Sequence, residues 1–498
     1  MGGINYFSMD FGASTGRGIL GHFDGDRLIL SEVHRFENFF VDLNGTYYWD
    51  VLRMLYEMEN TLRMAVKKLG RNTIASIGLD TWGTDYGLVD KRGQMLGNVR
   101  CMRNADGYGV RKVFEKIDRK ELFNRTGVQV IPGNTIFQLY ERLLNRDPAL
   151  MEAEKILMLP DLLAHFLTGE AFSEYTMATT SMLYNPKLKD WDRDLAGKLG
   201  IPQDIFCEIV MPGTKHLPLL DAVQENVGAA GITYVPVGTH DTASAVAAIP
   251  LGEDEAFCSS GTWSLFGIET KEAVINSSVY HANFSNEGTV DGDFRLLKNI
   301  MGMWIIQQCV QEWEGRGQRL SWDEVVQAAV GAKPFRSLVD PDEAAFYNAG
   351  GIIGKITGFC LETGQPIPET IGQIARCAYE SLAMKYRMTM EQLESIRGRP
   401  LKALRIVGGG CRNRMMNQFA ANALKKPVYT GPVEGACIGN ILMQARSFGE
   451  VAGLTQMREV VTRSFEIDEY TPQDAAGWDA AYEKYIRILK KRVEAVNA

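Results

Sequence analysis

Residues 4–23 read INYFSMDFGASTGRGILGHF, and their order decides the fold. Ile4 to Asp10 is a strand pattern, Gly12-Ala13-Ser14-Thr15-Gly16 is a run of small and hydroxylated residues, and Arg17 to Phe23 is a second strand. A third strand, Arg27 to Arg35, follows Asp24-Gly25, so the chain opens as an antiparallel meander. Successive backbone N–H groups in a turn such as 10–17 form an anion concavity, and its glycines let a phosphate approach the main chain. Asp10, at the strand end, is the candidate to hold a divalent ion against such phosphates. An ordinary hairpin has the same composition.

Gly12 to Gly16 also satisfies G-x-S-x-G, the nucleophile elbow of hydrolases. An elbow needs a helix after it and a sheet begun upstream. Here the motif follows the first strand and enters the extended GRGILGHF, which argues against a hydrolase acting through Ser14.

Working outward, Asp50 caps a predicted helix whose Val51, Leu55, Met58, Leu62 and Val66 recur at helical spacing up to Gly70. Ile74 to Leu79 is a short strand ending at Asp80, before the turn Trp82-Gly83. Residues from about 110 to 230 read as helical and irregular, with helices over 137–144 and 157–167. Then the opening pattern restarts: a strand over 235–237, a small-residue helix over 239–248, a strand over 256–259, the turn Gly261-Thr262, and a strand over 263–268. Leu404 to Val407 enters Gly408-Gly409-Gly410 before a helix from Asn413 to Leu424. A strand over 427–429, a helix over 437–447 and a charged amphipathic helix from Pro472 to about Val493 complete the chain. The repetition predicts a duplicated α/β architecture. Its expected divisions are an N-terminal domain (1–245), a C-terminal domain (246–470) and a terminal helix (471–498) packing back near the domain interface.

Three further stretches carry chemistry. In Gly238-Thr239-His240-Asp241-Thr242-Ala243-Ser244-Ala245 an aspartate stands where a strand gives way to a helix, with small neighbours that leave room for a substrate hydroxyl. The competing reading is that Asp241 merely caps the helix. His240 finds no serine partner for a hydrolytic triad and reads as a pocket wall or a structural histidine. Ser259-Ser260-Gly261-Thr262-Trp263-Ser264 is a second candidate phosphate cradle, or a second plain hairpin. Gly408-Gly409-Gly410 and Gly431 to Gly435 let a flat ring lie against the backbone, or simply turn the chain. Gly350 to Lys355 has neither the spacing nor the Ser/Thr of a Walker A loop.

The whole composition bounds the classes. At 498 residues the chain is long enough for two cores, and 45% hydrophobic with 23% charged residues is ordinary for a globular protein. Glycine is in excess, 50 residues where about 7% is usual, which fits the turn-centred reading. A net charge of −8 argues against nucleic acid or an anionic membrane surface as partner. No apolar run of spanning length and no basic, then apolar, leader is present, so a cytoplasmic protein is expected. Gly2 does not meet the myristoylation pattern, because Tyr6 stands where Ser or Thr is needed. The eight cysteines are scattered without C-x-x-C or a Cys/His cluster, so free thiols are expected, with Cys360 and Cys377 the pair to watch.

Taken in order, these segments resemble the FGGY family of carbohydrate kinases. The resemblance covers nearly the whole chain and is carried most specifically by Asp80-Thr81-Trp82-Gly83-Thr84-Asp85, Glu174-Tyr175-Thr176 with Ala178-Thr179-Thr180, His240 to Ala245, Ser259 to Leu265, and Lys298 to Trp304. It implies an actin/hexokinase-like (ribonuclease H-like) two-domain α/β fold with duplicated βββαβαβα cores, sugar and phosphate binding in 1–245, ATP binding in 246–470, and ATP and sugar in an interdomain cleft. It implies ATP and Mg2+ as cofactors and a ketose as acceptor. The first expectation is L-rhamnulose, phosphorylated at its 1-hydroxyl; L-fuculose or a ketopentose is the alternative, and a non-catalytic actin-like nucleotide-binding protein the remote one. By matching positions it implies Ala13, Ser14, Thr15, Gly16 and Arg17 at the ATP phosphates with Asp10 near the metal, Asp241 as base, and His240, Gly83 and Asn299 on the sugar. Thr262 with its neighbour Gly261, Gln307 and Gly409 would contact ATP. Trp82 and Asp85 are added for the sugar pocket from their place in the strand-end turn. Arg103 belongs to a departure: the family carries Arg-Asp followed shortly by Arg, and here Met102-Arg103-Asn104-Ala105-Asp106 keeps the arginine and replaces the aspartate. A monomer or homodimer is expected.

Overall fold

The structure is a computed structural model and describes residues 3–497. Gly2, where the sequence excludes lipidation, lies outside the described residues. Strands β1 (Ile4–Phe11), β2 (Thr15–Phe23) and β3 (Leu28–Glu37) form the antiparallel meander, α1 (Val51–Leu69) follows, and β4 (Ile74–Thr81) returns parallel to β1. A stretch containing α2 (Thr135–Leu144) and α3 (Leu159–Thr168) leads to β5 (Thr233–Tyr234), parallel to β4, and then to α4 (Asp241–Ala247). The second half sets out β6 (Glu255–Ser260), β7 (Trp263–Thr270), β8 (Ser285–Gly288), β9 (Phe294–Met301) and α5 (Trp304–Gly315). It continues with α6 (Ile371–Arg397), β10 (Ala403–Val407), α7 (Arg414–Leu424), β11 (Val428–Thr430), α8 (Gly435–Ser447) and α9 (Ala475–Asn497).

The two large sheets share one strand order. Five consecutive strands run β3-β2-β1-β4-β5 in the first and β9-β7-β6-β10-β11 in the second, with β1–β2 and β6–β7 antiparallel and β1–β4–β5 and β6–β10–β11 parallel. This is the duplication that the recurring strand and glycine-turn pattern predicts.

Packing divides the chain into two compact units interleaved in sequence. One comprises Met1–Pro250, Glu269–Leu297 and Glu434–Phe465; the other comprises Leu251–Ile268, Lys298–Val433 and Glu466–Ala498. Where the sequence reading runs its second domain unbroken from 246 to 470, two segments return to the first unit, one carrying β8 with β9 as far as Leu297 and the other carrying α8. Helix α9 packs on α6 and α7 within the second unit.

In the first unit alternation along β1 explains both cores. Phe7, Met9 and Phe11 pack with Met54, Met58, Leu62 and Ala65 of α1, whereas Tyr6 packs with Cys437, Ile438 and Ile441 of α8. With helices on both faces, the strand reads as a nearly continuous buried run. Each such side chain contributes about 1.5–3 kcal/mol by leaving water. Asp50 caps α1 by accepting from the Arg53 N–H at 3.1 Å, and Gly70 ends it at φ 99°.

One strand differs from expectation. The ladder holds Thr233 and Tyr234 but not 235–237, because Pro236 has no N–H to give it. The chain nevertheless stays extended beside β4, with Val235 N–H donating to Ile77 O and Thr81 N–H to Thr239 O. Helix α4 accordingly starts at Asp241, two residues later than the pattern suggests.

Candidate active site

Three neighbouring chain segments in the first unit end in aspartates. Asp10 on β1 and Asp80 on β4 are parallel register partners, and Thr81 bridges to His240, so Asp241 follows on the next segment. Alternation puts Asp10 on the α8 side of the sheet, where Cys437 Sγ lies 3.7 Å from its carboxylate. Asp80 is completely buried and accepts from Asn440 Nδ2 at 2.6 Å. Asn440 is in turn held by Gln444, which also donates to Phe7 O and accepts from Ser76. Helix α8 reaches this depth because of Gly439: a Cβ there would stand 1.8 Å from Ser244 O of α4.

Between Asp10 and Arg17 lies the hairpin tip. Gly12 N–H donates to Thr15 O at 2.9 Å, and Asn38 closes the turn from outside by donating from its Nδ2 to Gly12 O and its N–H to Ser14 O. Ser14 and Thr15 are exposed, while Gly16 is forced by the Phe36 ring, 2.2 Å from where a Cβ would sit. A strand follows the motif, so the elbow reading of G-x-S-x-G fails. Arg17 places Nη2 2.6 Å from Asp10 and Nε 2.8 Å from Glu434, and these two carboxylates with Cys437 hold its guanidinium firmly charged despite burial.

Asp241 is the first helical residue of α4, and His240, in extended conformation, occupies the cap position without a side-chain cap bond. The Asp241 carboxylate therefore does not cap the helix; its hydrogen bond comes from the Thr242 hydroxyl at 3.0 Å. Partial burial, with repulsion from Asp10, pushes it up to about 7. His240 Nε2 lies 3.6 Å from Asp241 Oδ1. Burial and the adjacent Arg295 keep this imidazole well below its usual range, hence neutral. Beneath both, Glu174 accepts from the Thr176 and Thr239 hydroxyls at 2.6 Å each and from the N–H groups of Thr176, Met177 and Thr239.

Trp82 and Gly83 leave β4 in the same unit. Gly83 is backed by Thr180, and Thr84, a β-branched residue at φ 74°, is held there by Thr180 Oγ1 on its N–H and Thr135 Oγ1 on its carbonyl. Asp85 has no exposure. Its Oδ2 accepts from Trp49 Nε1 at 2.7 Å and Trp82 Nε1 at 2.8 Å, and burial pushes it up to about 6. The Asp85 carboxylate thus aims Trp82, which remains partly exposed against Trp49 at 4.2 Å. Arg103 sits on the following short turn. Asn104 uses its amide in both senses, accepting from Tyr47 N–H at 2.7 Å and donating to Tyr47 O and Cys101 O.

The second unit gathers the other predicted residues. Gly261 N–H donates to Trp263 O, and the start of α5 is tied to this turn by Met303 N–H to Gly261 O and Trp304 N–H to Thr262 O. Gln307 stands one turn into α5. Gly408 and Gly410 back onto Ser260 so closely that a Cβ at either would meet it at 2.9 and 2.1 Å, which brings Gly409 beside the same hairpin. Asn299 lies on β9.

Several neighbours escaped the sequence reading. Asp80 was legible as a strand end like Asp10. Glu434, the residue before α8, and Asn440 within it arrive from hundreds of residues away. Arg295 had one signal, a charge inside the apolar run FRLLKNIM. Among the described residues no three acidic, imidazole or thiol groups converge to hold a metal by themselves.

Comparison with known proteins identifies the family. The model of the FGGY family of carbohydrate kinases, N-terminal domain, matches residues 5–248, and that of its C-terminal domain matches 256–448. The chain is 41% identical over 480 residues to a rhamnulokinase of Bacteroides thetaiotaomicron, spanning 96% of this chain and 98% of that one. It is 36% identical over 473 residues to a rhamnulokinase of Halalkalibacterium halodurans, spanning 95% and 100%. The fold superposes on a xylulose kinase from Lactobacillus acidophilus with TM-score 0.80 at 16% identity, and on a gluconate kinase from the same organism with 0.79 at 17%, over 97% of each chain in both cases.

Proposed function

Because the chain belongs to the FGGY family of carbohydrate kinases, we propose that it transfers the γ-phosphoryl group of ATP to the 1-hydroxyl of L-rhamnulose, giving L-rhamnulose 1-phosphate and ADP. The likeness to rhamnulokinases over nearly the full chain supports the acceptor. The observation that carries the chemistry is Asp241, a carboxylate uncommitted to capping, pushed up to about 7 and next to a neutral imidazole. A base is most effective with a pKa near working pH.

Asp241 accepts the hydroxyl proton as the sugar oxygen bonds to the γ-phosphorus and the bond from that phosphorus to the β,γ-bridging oxygen breaks. His240, Gly83, Trp82 and Asn299 hold the ketose, with Asp85 aiming Trp82 and Arg103 on the adjoining turn. Ala13 to Arg17 bind phosphate oxygens through backbone N–H groups and hydroxyls, and Gly261, Thr262, Gln307 and Gly409 bind the rest of the nucleotide. Most of the rate comes from this alignment.

A Mg2+ ion fits beside Asp10. Asp80 Oδ1, its neighbour, finds no partner among the described residues. Mg2+ takes one or two carboxylates plus phosphate oxygens and water, so a site without three converging protein ligands suits it. When bound it supplies charge neutralisation at the phosphates.

All eight cysteines are free and buried, Cys360 and Cys377 among them. That suits a reducing compartment, and no described helix is long and apolar enough to cross a membrane. Cytoplasmic action as a monomer or homodimer, without nucleic acid or membrane, is the corresponding proposal.

The test is ADP release with Mg-ATP against L-rhamnulose, L-fuculose, L-xylulose, L-ribulose, D-xylulose and glycerol. Selective release with L-rhamnulose is expected. Asp241→Asn should lower kcat by about 10²–10⁴-fold with ATP binding retained, and near-native turnover in that variant would remove Asp241 from the role.

A further inference from the structure

Arg295 is completely buried on the part of β9 that belongs to the first unit and faces Glu287 on β8 as its cross-strand partner. Its Nε donates to Gly288 O at 3.0 Å, and its Nη2 lies 3.2 Å from His240 Nδ1. Nη1 finds no acceptor among the described residues. Burying a guanidinium is costly even when paired, so its presence here calls for a reason beyond packing.

The reason lies in hydrogen-bond direction. A guanidinium has five donors and no acceptor. The imidazole nitrogen it faces must therefore present its lone pair, which leaves the ring proton on Nε2. The Glu287 carboxylate would favour the opposite arrangement, but at 3.6 Å from Nδ1 it is beyond hydrogen-bond range, and it also lies 3.7 Å from Arg295 Nη2. The backbone of His240 is fixed independently: its N–H donates to Thr176 Oγ1 at 3.2 Å, and that hydroxyl donates to Glu174 at 2.6 Å.

We propose that Arg295 is a positioning residue that locks His240 as the Nε2–H tautomer, and so sets which way the acceptor hydroxyl points its proton. Nε2 and Asp241 Oδ1, 3.6 Å apart, are too far for a direct bond but close enough for one hydroxyl oxygen to reach both. With Nε2–H donating to that oxygen, the hydroxyl keeps its own proton for Asp241. With the other tautomer, Nε2 becomes an acceptor and competes with the base for the same proton. The inference rests on Asp241 being the base, and it engages a segment, 285–297, that sequence order assigns to the C-terminal family domain but packing assigns to the first unit.

The experiment is nitrogen-15 NMR of the full chain labelled at its six histidines, with His240→Asn to assign the signal, alongside kinetics of Arg295→Met and Arg295→Lys. The expected native signal is a neutral Nε2–H imidazole with no titration between about pH 6 and 9, the range in which an ordinary histidine completes its titration. Arg295→Met should shift the ring to Nδ1–H or to the imidazolium and lower kcat roughly 10²-fold, with KM for ATP changing less than about twofold. Arg295→Lys restores a donor and should recover about tenfold of that loss, which a purely structural role would not produce. A native signal of the Nδ1–H or imidazolium form overturns the proposal, and needs no variant to fold. So does a folded Arg295→Met with unchanged tautomer and kcat within about threefold of native. A native Nε2–H signal in a protein that phosphorylates no ketose would instead sink the kinase reading alone.

Discussion

Asp10 and Asp80 are register partners on adjacent parallel strands, and both are buried. Two carboxylates so placed cannot both ionise freely. Arg17 answers Asp10 at 2.6 Å, so the burden falls on Asp80, which burial and the Asp10 charge hold well above the usual carboxylate range against the stabilising bond from Asn440.

That asymmetry makes stability depend on pH. A carboxyl whose folded pKa exceeds its unfolded value of about 3.9 binds protons more tightly when folded, so stability falls as pH rises above that value. Asp80→Asn has nothing to titrate. Its melting temperature should exceed that of the native protein at pH 8, by roughly 2 °C or more, and the advantage should shrink toward pH 4. A difference that is the same at both pH values would exclude the repulsion.

Asp241 gives the same sign for stability and the opposite sign for function. Its carboxyl, pushed up to about 7, must lose its proton to act, so kcat/KM should rise with pH through an apparent pKa near 7. Asp241→Asn should abolish that limb together with most turnover, and gain thermal stability above pH 7. An activity profile flat between pH 5.5 and about 8.5 would place the proton acceptor elsewhere.

How the helix bearing Asp241 is seated can be tested at Gly439. A methyl group there would overlap Ser244 O, so α4 and α8 must part. Gly439→Ala should cost about 1–3 kcal/mol by overpacking, read from the urea midpoint, and should lower kcat because Asp241 heads the displaced helix. Native stability in this variant would mean that the contact relaxes without strain.

Much of this was readable from the chain. Strand ends at Asp10, Asp80 and Ser259, the glycine turns after them and the caps of α1 all follow from local pattern, since each is decided within a few residues. The Asp241 environment was not, because its determinants are distant: Glu174 reaches Thr239, Arg295 reaches His240 and Glu434 reaches Arg17 only through tertiary packing. The partners of Asp85 were hidden for a related reason: only the folded chain brings Trp49, 36 positions away, to donate to it.

Asp85→Ala isolates that support. Two indole N–H groups lose their acceptor, and Trp49 is almost wholly buried. The expected cost is about 1–3 kcal/mol for the unsatisfied donors. Trp82, released from its aim, should raise KM for the ketose while KM for ATP stays unchanged. Equal changes in both KM values would indicate general unfolding and not a misplaced Trp82.

Asn104 invites the restoration of the family's aspartate, and the structure predicts that this fails. The amide oxygen accepts from Tyr47 N–H, a bond that a carboxylate would keep, but the amide nitrogen donates to Tyr47 O and Cys101 O at 2.8 and 2.9 Å. In Asn104→Asp an acceptor-only oxygen would face two carbonyl oxygens. The turn carrying Arg103 must then open, at about 1–3 kcal/mol for the lost donors, and KM for the ketose should rise. If Asn104→Asp instead lowers that KM without loss of stability, Arg103 is oriented by a carboxylate after all, and the amide pairing with Tyr47 is dispensable.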